Sequence, residues 1–233
     1  MPTIAFDAAA VTVPTPHGDR VVLEPVSLTL TEPRVAVVGA NGSGKSTLAR
    51  LVNGLVPVTS GRVLVDGVDV ARDAGAVRRM VGFCFTDPAA QLVMPTCVED
   101  VELSLRRHVK DKKERAARAR AVLEQHGLGD HADVSVHALS GGQKQLLALA
   151  GVLATEPRVL VADEPTTLLD LANTRRVGDL LLGLEQQLLL VTHDLDLAER
   201  CDRVVVVADG RIAFDGDPVA AVAHYRDLAS ADS

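Results

Sequence analysis

The chain has 233 residues, of which 47% are apolar and 24% are charged, and its formal net charge is −7. This length can bury a full core, and the longest apolar runs stop short of the roughly 18–20 residues that span a bilayer. The negative charge argues against nucleic acid as a partner, because duplex binding needs a concentrated basic face. The amino terminus lacks a basic segment followed by an apolar core, so we expect no signal peptide and a soluble cytosolic chain.

Short apolar segments bounded by turn residues predict strands at both ends of the chain. The predicted strands are 4–13, 21–30, 35–38, 63–65, 81–85, 159–162, 188–191 and 204–207, and the predicted helices are 46–52, 173–184 and 195–199. From 87 to about 155, alanine, leucine and charged residues dominate, which predicts further helices. Strands and helices that alternate in this way indicate an α/β fold with a parallel sheet covered on both faces. We expect one domain over 1–233, with a core at about 1–86 and 156–233 and a helical insertion at about 87–155.

The segment 39–47, GANGSGKST, follows the strand 35–38 and satisfies G-x-x-x-x-G-K-[ST]. Its glycines let consecutive backbone N–H groups converge on one anion, and the following helix adds its positive end. The lysine supplies a charge for the β- and γ-phosphates, and the Ser46 hydroxyl is a Mg²⁺ ligand. The segment therefore predicts a nucleoside triphosphate site. Its predicted binding residues are Gly39, Asn41, Gly42, Ser43, Gly44, Lys45, Ser46 and Thr47.

A second apolar strand, 159–162, runs into two carboxylates, Asp163 and Glu164. If this strand lies parallel to the strand before the phosphate loop, Asp163 reaches the Mg²⁺ shell. Glu164 then points to the γ-phosphate side, where a carboxylate can orient and deprotonate water. The pair therefore predicts hydrolysis of the bound triphosphate.

The segment LSGGQ, residues 139–143, opens a predicted amphipathic helix. Ser140, Gly141, Gly142 and Gln143 together offer a hydroxyl, flexible backbone amides and the positive end of a helix, which suits an anion. An ordinary serine N-cap would explain the helix start alone. Because the chain already has one phosphate loop, we expect residues 140–143 to serve a nucleotide that a partner chain holds.

These segments together resemble the ABC transporter ATPases over essentially the whole chain. The matching pieces are the phosphate loop, LSGGQ, "VLVADEPT" at 159–166, Asp170 and Thr192-His193-Asp194. The resemblance implies an α/β P-loop NTPase with a RecA-like core sheet, an N-terminal antiparallel β-subdomain and an inserted α-helical subdomain. It also implies two ATPase domains that face each other head to tail and hold ATP between them. In that arrangement Glu164 is the general base, His193 contacts the γ-phosphate and steadies Glu164, and Asp170 links the two sites.

The segment 81–105, "VGFCFTDPAAQLVMPTCVEDVELSL", is similar to the energy-coupling factor branch of that family, which drives vitamin and metal-ion uptake. The branch implies a second ATPase subunit, as a homodimer or a heterodimer, a membrane coupling subunit and a substrate-binding membrane subunit. It also implies a peripheral location on the cytoplasmic side of the cell membrane. Biotin is the favoured cargo, with cobalt or nickel next. A soluble ABC ATPase of the iron–sulfur cluster assembly type is the alternative.

The chain departs from the family pattern at several positions. Thr86 stands where the family has the glutamine that touches Mg²⁺ and the attacking water, and Gln91, five residues on, is expected at the interface with the membrane subunit. Near Val13 the family often has an aromatic residue that stacks on adenine, and this chain has none there. His17 is only a faint substitute for that aromatic. We therefore expect loose discrimination among purine triphosphates. Leu168 replaces a glycine before Asp170, which is expected to alter communication across the dimer.

Two charged stretches lie within or directly after the segment 81–105. Glu99, Asp100 and Glu102 form an acidic patch, which is either a groove for basic helices of the membrane subunit or an ordinary solvated face. The stretch 106–120, "RRHVKDKKERAARAR", predicts an exposed helix. The three cysteines, Cys84, Cys97 and Cys201, have no metal-ligand spacing and are expected to be buried and reduced.

Overall fold

Two β-sheets organise the fold, which a computed structural model describes for residues 1–16 and 18–231. In chain order the strands are β1 (Ile4–Thr15), β2 (Gly18–Leu30), β3 (Arg34–Val38), β4 (Ser60–Val65), β5 (Val68–Asp69), β6 (Val81–Cys84), β7 (Val159–Asp163), β8 (Gln187–Val191), β9 (Arg203–Ala208) and β10 (Arg211–Gly216). The helices are α1 (Lys45–Leu51), α2 (Ala74–Met80), α3 (Cys97–Leu105), α4 (Lys112–Gln125), α5 (Gly141–Leu153), α6 (Leu171–Leu182), α7 (Leu195–Glu199) and α8 (Pro218–Ala231). Short 3₁₀ turns lie at Pro88–Ala90, Gly129–His131 and Val136–Ala138. His17, the faint substitute for a stacking aromatic, lies outside the described residues.

The larger sheet has the strand order β10-β9-β3-β8-β7-β6, and every neighbouring pair except β10–β9 is parallel. Each residue of β7 and β8 is buried, as expected for parallel strands covered on both faces. Since β3 lies between β9 and β8, the loop that follows it emerges near the middle of the carboxyl edge. The predicted parallel core sheet is therefore confirmed.

The smaller sheet has the order β2-β1-β4-β5 and is antiparallel throughout, which confirms the predicted N-terminal antiparallel β-subdomain. Alternate residues of β3 face different cores, because successive side chains of a strand point to opposite faces. Val35 and Val37 pack in the core shared with the smaller sheet. Ala36 and Val38 pack on the other face, in the core that contains residues of α5.

Three helices, α3, α4 and α5, lie between β6 and β7. They occupy the segment predicted to be a helical insertion, and their inward faces share one core with the sheet, which includes Val101, Leu123 and Leu146. The inserted α-helical subdomain of the predicted fold class is thus present. The boundaries 1–86, 87–155 and 156–233 stay a prediction.

The prediction of one exposed helix over 106–120 is wrong over its first six residues. α3 ends at Leu105, and α4 begins only at Lys112. Asp111 stops the helix from starting earlier, because its side chain accepts a hydrogen bond from the Glu114 N–H at 2.8 Å as an N-cap. The basic residues that precede Asp111 therefore lie on a turn between two helices.

The sequence also leaves β10 and α8 unpredicted. β10 has no buried residue, so it lacks the apolar signal of the core strands. Its pairing with β9 is supported by Arg203, whose guanidinium binds the Asp215 carboxylate through two contacts of 2.6 Å. α8 is rich in alanine, and its start is marked by Asp217, whose Oδ1 accepts from Ala220 N at 3.0 Å, and by Pro218 at the first helical position.

The cysteines are free and buried, as predicted. Burial raises the pKa of the Cys84 and Cys201 thiols to about 12, so both stay protonated at neutral pH and are poor nucleophiles. Among the described helices, none has the length and apolarity to cross a bilayer.

Gly82 in β6 gives a test of the core packing. A Cβ at this position would lie 2.4 Å from Val152 Cγ1 and 3.1 Å from Pro157 Cγ. We expect Gly82→Ala to lower the free energy of unfolding by about 1–3 kcal/mol, because the rigid proline ring cannot yield. Gly75→Ala in α2 is the control, since the nearest atom to its Cβ is 3.6 Å away and alanine favours a helix. Urea unfolding measures both, and an unchanged midpoint for Gly82→Ala would contradict this account of the packing.

Candidate nucleotide site

The phosphate loop joins the carboxyl end of β3 to the start of α1. Gly39 and Gly44 have φ values of +152° and +106°, which residues with a Cβ rarely adopt. A Cβ on Gly39 would also lie 2.1 Å from Val207 O, and one on Gly44 would lie 2.9 Å from Val22 O. The backbone of neighbouring strands therefore leaves room only for glycine at these two positions.

Lys45 is the first residue of α1 and is buried. Its Nζ donates a hydrogen bond to Ala40 O at 2.9 Å, which holds the ammonium group inside the loop. Burial lowers the pKa of this ammonium, although the charges of Glu164 and Asp163 act in the opposite direction. A phosphate placed against the loop amides would meet this positive charge at once.

Asp163 lies at the end of β7 and is fully buried. The Ser46 hydroxyl donates to its Oδ1 at 2.7 Å, and Arg50 Nη2 donates to its Oδ2 at 3.0 Å. Ser46 and Arg50 are one helical turn apart on α1, so both reach the same carboxylate. The sequence predicts Ser46 beside Asp163, whereas it gives no indication of Arg50.

A hydroxyl and a carboxylate oxygen are hard ligands of the kind that Mg²⁺ prefers. No cluster of three His, Cys, Asp or Glu side chains able to hold a metal occurs in the described part of the chain. Mg²⁺ keeps several waters and takes phosphate oxygens as ligands, so two protein ligands at a phosphate site suit it. Ser46 and Asp163 are the residues that would hold it.

Glu164 follows in a strained backbone conformation, with φ of +56°. Its N–H donates to Val191 O at 2.9 Å, so the strained residue is tied to the end of β8. His193 Nε2 lies 2.8 Å from Glu164 Oε1, and the Thr167 hydroxyl donates to Glu164 Oε2 at 2.8 Å. Both oxygens of the carboxylate therefore have a fixed partner.

Thr86, where the resemblance led us to expect a glutamine, contacts the backbone between Asp163 and Glu164. Its hydroxyl donates to Asp163 O at 2.8 Å. Gln91 lies further along and braces the helical insertion: its Oε1 accepts from Phe85 N at 3.2 Å, and its Nε2 donates to Ala148 O at 3.1 Å. Both ends of the Gln91 amide are thus engaged inside the subunit, and its proposed contact with a membrane subunit stays a prediction.

A cavity of about 500 Å³ gathers these groups. Its lining residues are Arg20, Val22, Asn41, Gly42, Gly44, Lys45, Ser46, Thr47, Thr86, Glu164, Thr167 and His193. Three of these residues, Arg20, Val22 and Thr167, are not predicted from the sequence. The register of the β1–β2 hairpin could have indicated Arg20. In this register Arg20 pairs directly opposite Val13, and an aromatic that stacks on the base was expected near Val13. Gly39 and Ser43 belong to the same loop but do not line the cavity.

The LSGGQ segment lies elsewhere, since none of its residues lines this cavity. Ser140 is the N-cap of α5, and it forms a capping box with Gln143, whose Oε1 accepts from Ser140 N at 2.9 Å. A Cβ on Gly142 would lie 2.4 Å from the Asn173 side chain, so this helix start packs closely on the start of α6. Asp170 caps α6 by accepting from Asn173 N at 2.8 Å, which places Asp170 beside the segment.

The acidic patch divides into three different roles. Asp100 is buried and accepts from Val93 N at 2.9 Å. Glu99 completes a capping box with Thr96 at the start of α3, and Glu102 Oε2 lies 3.7 Å from Arg115 Nε. Glu99 is therefore the most exposed acidic group of the patch.

Comparisons with known proteins agree with this geometry. A family model described as ABC transporter matches residues 23–167. The chain is 43% identical to the biotin transport ATP-binding protein BioM of Rhizobium etli, over 97% of this chain and 99% of that protein. It is 42% identical to the energy-coupling factor transporter ATP-binding protein EcfA1 of Symbiobacterium thermophilum, over 79% of this chain and 66% of that protein. The dimeric post-hydrolysis structure of the ATP-binding cassette MJ0796 with ADP and Pi gives a TM-score of 0.83 at 28% identity, covering 92% of this chain and 98% of that chain.

The hydroxyl of Thr86 can be tested by substitution. Thr86→Val keeps the shape and removes the bond to Asp163 O, so we expect turnover of ATP to fall up to about tenfold, the equivalent of one hydrogen bond. Thr86→Ser, which keeps the hydroxyl, is the control. Thr86→Gln should leave ATP binding intact and change hydrolysis or its coupling to transport.

Steady-state hydrolysis and nucleotide affinity are measured for each variant. Nucleotide affinity should stay within about twofold of the original, because Thr86 donates to the protein backbone. Equal turnover in Thr86→Val and the original chain would contradict a positioning role for the hydroxyl.

Proposed function

This chain belongs to the ABC transporter family, and we propose that it is the ATP-hydrolysing subunit of an energy-coupling factor importer for biotin. A transition-metal ion is the next candidate cargo. The chain is an ABC ATPase and binds ATP. Its likeness to BioM and EcfA1 favours an importer over the iron–sulfur cluster assembly ATPase that the sequence left open.

The division of the site between two surfaces carries the proposal. The cavity is lined by residues of the phosphate loop and by the Glu164–His193 pair, but by no residue of 140–143. Ser140 and Gly141 are exposed, so the Ser140 hydroxyl and the Gly141 N–H are open to a second molecule. We therefore propose that a second ATPase subunit places its own Ser140, Gly141, Gly142 and Gln143 against the nucleotide.

Apolar residues beside Asp170 support the same dimer surface. Leu168 and Leu171 are 63% and 68% exposed, and they flank the residue proposed to link the two sites. Burying such side chains favours association. Because one chain carries both the cavity and the LSGGQ segment, a homodimer would contain two complete sites, and a heterodimer with a related subunit would serve equally well.

The hydrolytic roles follow from the contacts within the cavity. The loop amides and Lys45 would bind the β- and γ-phosphates, with Ser46 and Asp163 holding Mg²⁺, which neutralises phosphate charge when bound. Glu164 would orient the attacking water and accept its proton. His193, 2.8 Å from Glu164 Oε1, would fix the carboxylate and contact the γ-phosphate from the end of β8.

The remaining partners would lie in the membrane. We propose a coupling subunit that contacts the segment containing Thr86, Gln91, Glu99 and Glu102, and a separate subunit that binds the cargo. The chain would then be peripheral on the cytoplasmic side of the membrane. Co-expression with candidate membrane subunits, followed by ATP-dependent uptake of labelled biotin, tests the assignment, and uptake that ignores biotin and follows Co²⁺ or Ni²⁺ would redirect it.

The half-site arrangement gives a sharp prediction at Ser140. Ser140→Asp keeps a good N-cap but places a negative charge against the partner's triphosphate. We expect turnover to fall about 100-fold or more, as when a phosphate-facing group is lost, while the isolated subunit binds ATP normally. Ser140→Asn, which keeps the cap without the charge, is the control.

Substitution of Gly142 is unsuitable for this test, because Asn173 blocks its Cβ. Gly141 is suitable, since its Cβ would lie 3.7 Å from the nearest atom, Leu168 O. Full turnover in both Ser140→Asp and Gly141→Glu would rule out a nucleotide shared between two subunits.

A test of the proposed docking role of the acidic patch requires a variant that leaves the fold intact. Reversal of Glu99 and Glu102 to lysine would also break a capping box and a contact with Arg115. Glu99→Gln removes the charge and keeps a residue that completes a capping box. We expect it to reduce ATP-driven transport several-fold, as for a rim charge that guides docking, with unchanged nucleotide binding by the isolated subunit. Weaker nucleotide binding in this variant would count against a docking role.

A further inference from the structure

The basic stretch 106–120 contains two kinds of cation. Three arginines in its second half are paired: Arg115 with Glu102, Arg118 with Glu156 and Arg120 with Asp133. By contrast, Arg106, Arg107 and Lys110 have no carboxylate within 4.0 Å among the described residues. The turn between α3 and α4 therefore carries three cations that the subunit itself does not neutralise.

These three cations line a cleft of about 530 Å³ together with Leu103 and Arg115. Arg115 forms its fixed wall, because its Nη1 donates to Val109 O at 3.1 Å and to Lys110 O at 3.4 Å. Val109 is 5% exposed and anchors the turn in the core. The cleft is thus held in shape by these two hydrogen bonds and by the buried Val109, while Arg106, Arg107 and Lys110 are exposed.

Charge is distributed unevenly between this stretch and the rest of the chain. Residues 106–120 contain eight Lys and Arg against two Asp and Glu, a net charge of +6. The other residues contain 16 Lys and Arg against 29 Asp and Glu, a net charge of −13. An anionic surface would attract this stretch and repel the remainder, so it would orient the subunit with the turn toward that surface.

We propose that this cleft binds the phosphate headgroups of anionic phospholipids at the cytoplasmic membrane surface. Arginine guanidinium groups match phosphate oxygens in a two-pronged geometry, and lysine adds a point charge. Clusters of this kind next to a membrane bind anionic lipid. Leu103, 40% exposed, lies in the same cleft and gives it an apolar rim.

The position of the cleft on α3 agrees with this partner. Glu99 and Leu103 are four residues apart and share one face of the helix. The proposed contact with the membrane subunit thus lies near the amino end of α3, and the lipid cleft lies at its carboxyl end, roughly 10 Å away at 1.5 Å per residue. The inference rests on the proposed peripheral membrane location, although its test uses no transport partner.

The test is co-sedimentation of the purified full chain with vesicles of phosphatidylcholine, with and without 30% phosphatidylglycerol. We expect binding only to the anionic vesicles, and we expect added salt to weaken it. Arg106→Gln with Arg107→Gln should weaken the partition coefficient about 30-fold, the value that two juxtamembrane cations give. The matched control is Arg118→Gln with Arg120→Gln, which removes the same charge from the same stretch at paired positions and should change binding less than about threefold.

Several results would overturn the lipid assignment. Absence of binding to anionic vesicles would do so, and equal losses in the two double variants would reduce the effect to net charge. Binding of a poly-glutamate peptide to the cleft with no vesicle binding would assign it to an acidic protein segment. ATP binding by the isolated double variant, which should be unchanged, shows that the fold is retained and separates this test from that of the proposed function.

Discussion

The buried carboxylate of Asp163 sets the position of the other groups in the site. An unpaired charge in a sheet interior costs several kcal/mol, and here Ser46 and Arg50 bind its two oxygens at 2.7 and 3.0 Å. Both donors belong to α1, so this helix is fixed against the end of β7. Because the phosphate loop leads directly into α1, the same contacts align the loop with the acidic strand end. The next residue, Glu164, takes its place from that alignment.

A second constraint keeps the LSGGQ segment away from the cavity of its own chain. Gly142 lies so close to Asn173 that a Cβ would overlap it, and Asp170 caps the helix that carries Asn173. The starts of α5 and α6 are therefore packed as one unit, with Leu168 and Leu171 exposed beside them. This packing supports the proposal that the segment completes a triphosphate site on another molecule. This packing also gives Asp170 a physical route to the proposed partner nucleotide.

Much of this arrangement can be predicted from the sequence, for identifiable reasons. The strands β3, β7 and β8 are short and mostly apolar, and the chain at or just after the end of each carries residues with a recognisable chemical role. Arg50 could not be predicted, because its position depends on a helix turn that faces Asp163. Arg20 could have been found only from the register of the β1–β2 hairpin. Thr167 was missed since a hydroxyl acquires a role only when a carboxylate lies within reach. The stretch 106–120 was assigned to one helix because its composition outweighed the single capping residue, Asp111.

Thr86 replaces an expected glutamine, yet its side chain still contacts the strand end that carries Asp163 and Glu164. It begins the segment proposed to contact the membrane subunit, and its hydroxyl binds Asp163 O at 2.8 Å. That carbonyl belongs to the peptide between the proposed Mg²⁺ ligand and the proposed base, whose φ of +56° is held by Val191 O. A movement of the segment that begins at Thr86 would thus be transmitted to Glu164 through the backbone. A glutamine side chain is longer and would extend past the backbone into the cavity. The strained peptide, held from both sides, makes the orientation of Glu164 sensitive to a small movement of Thr86.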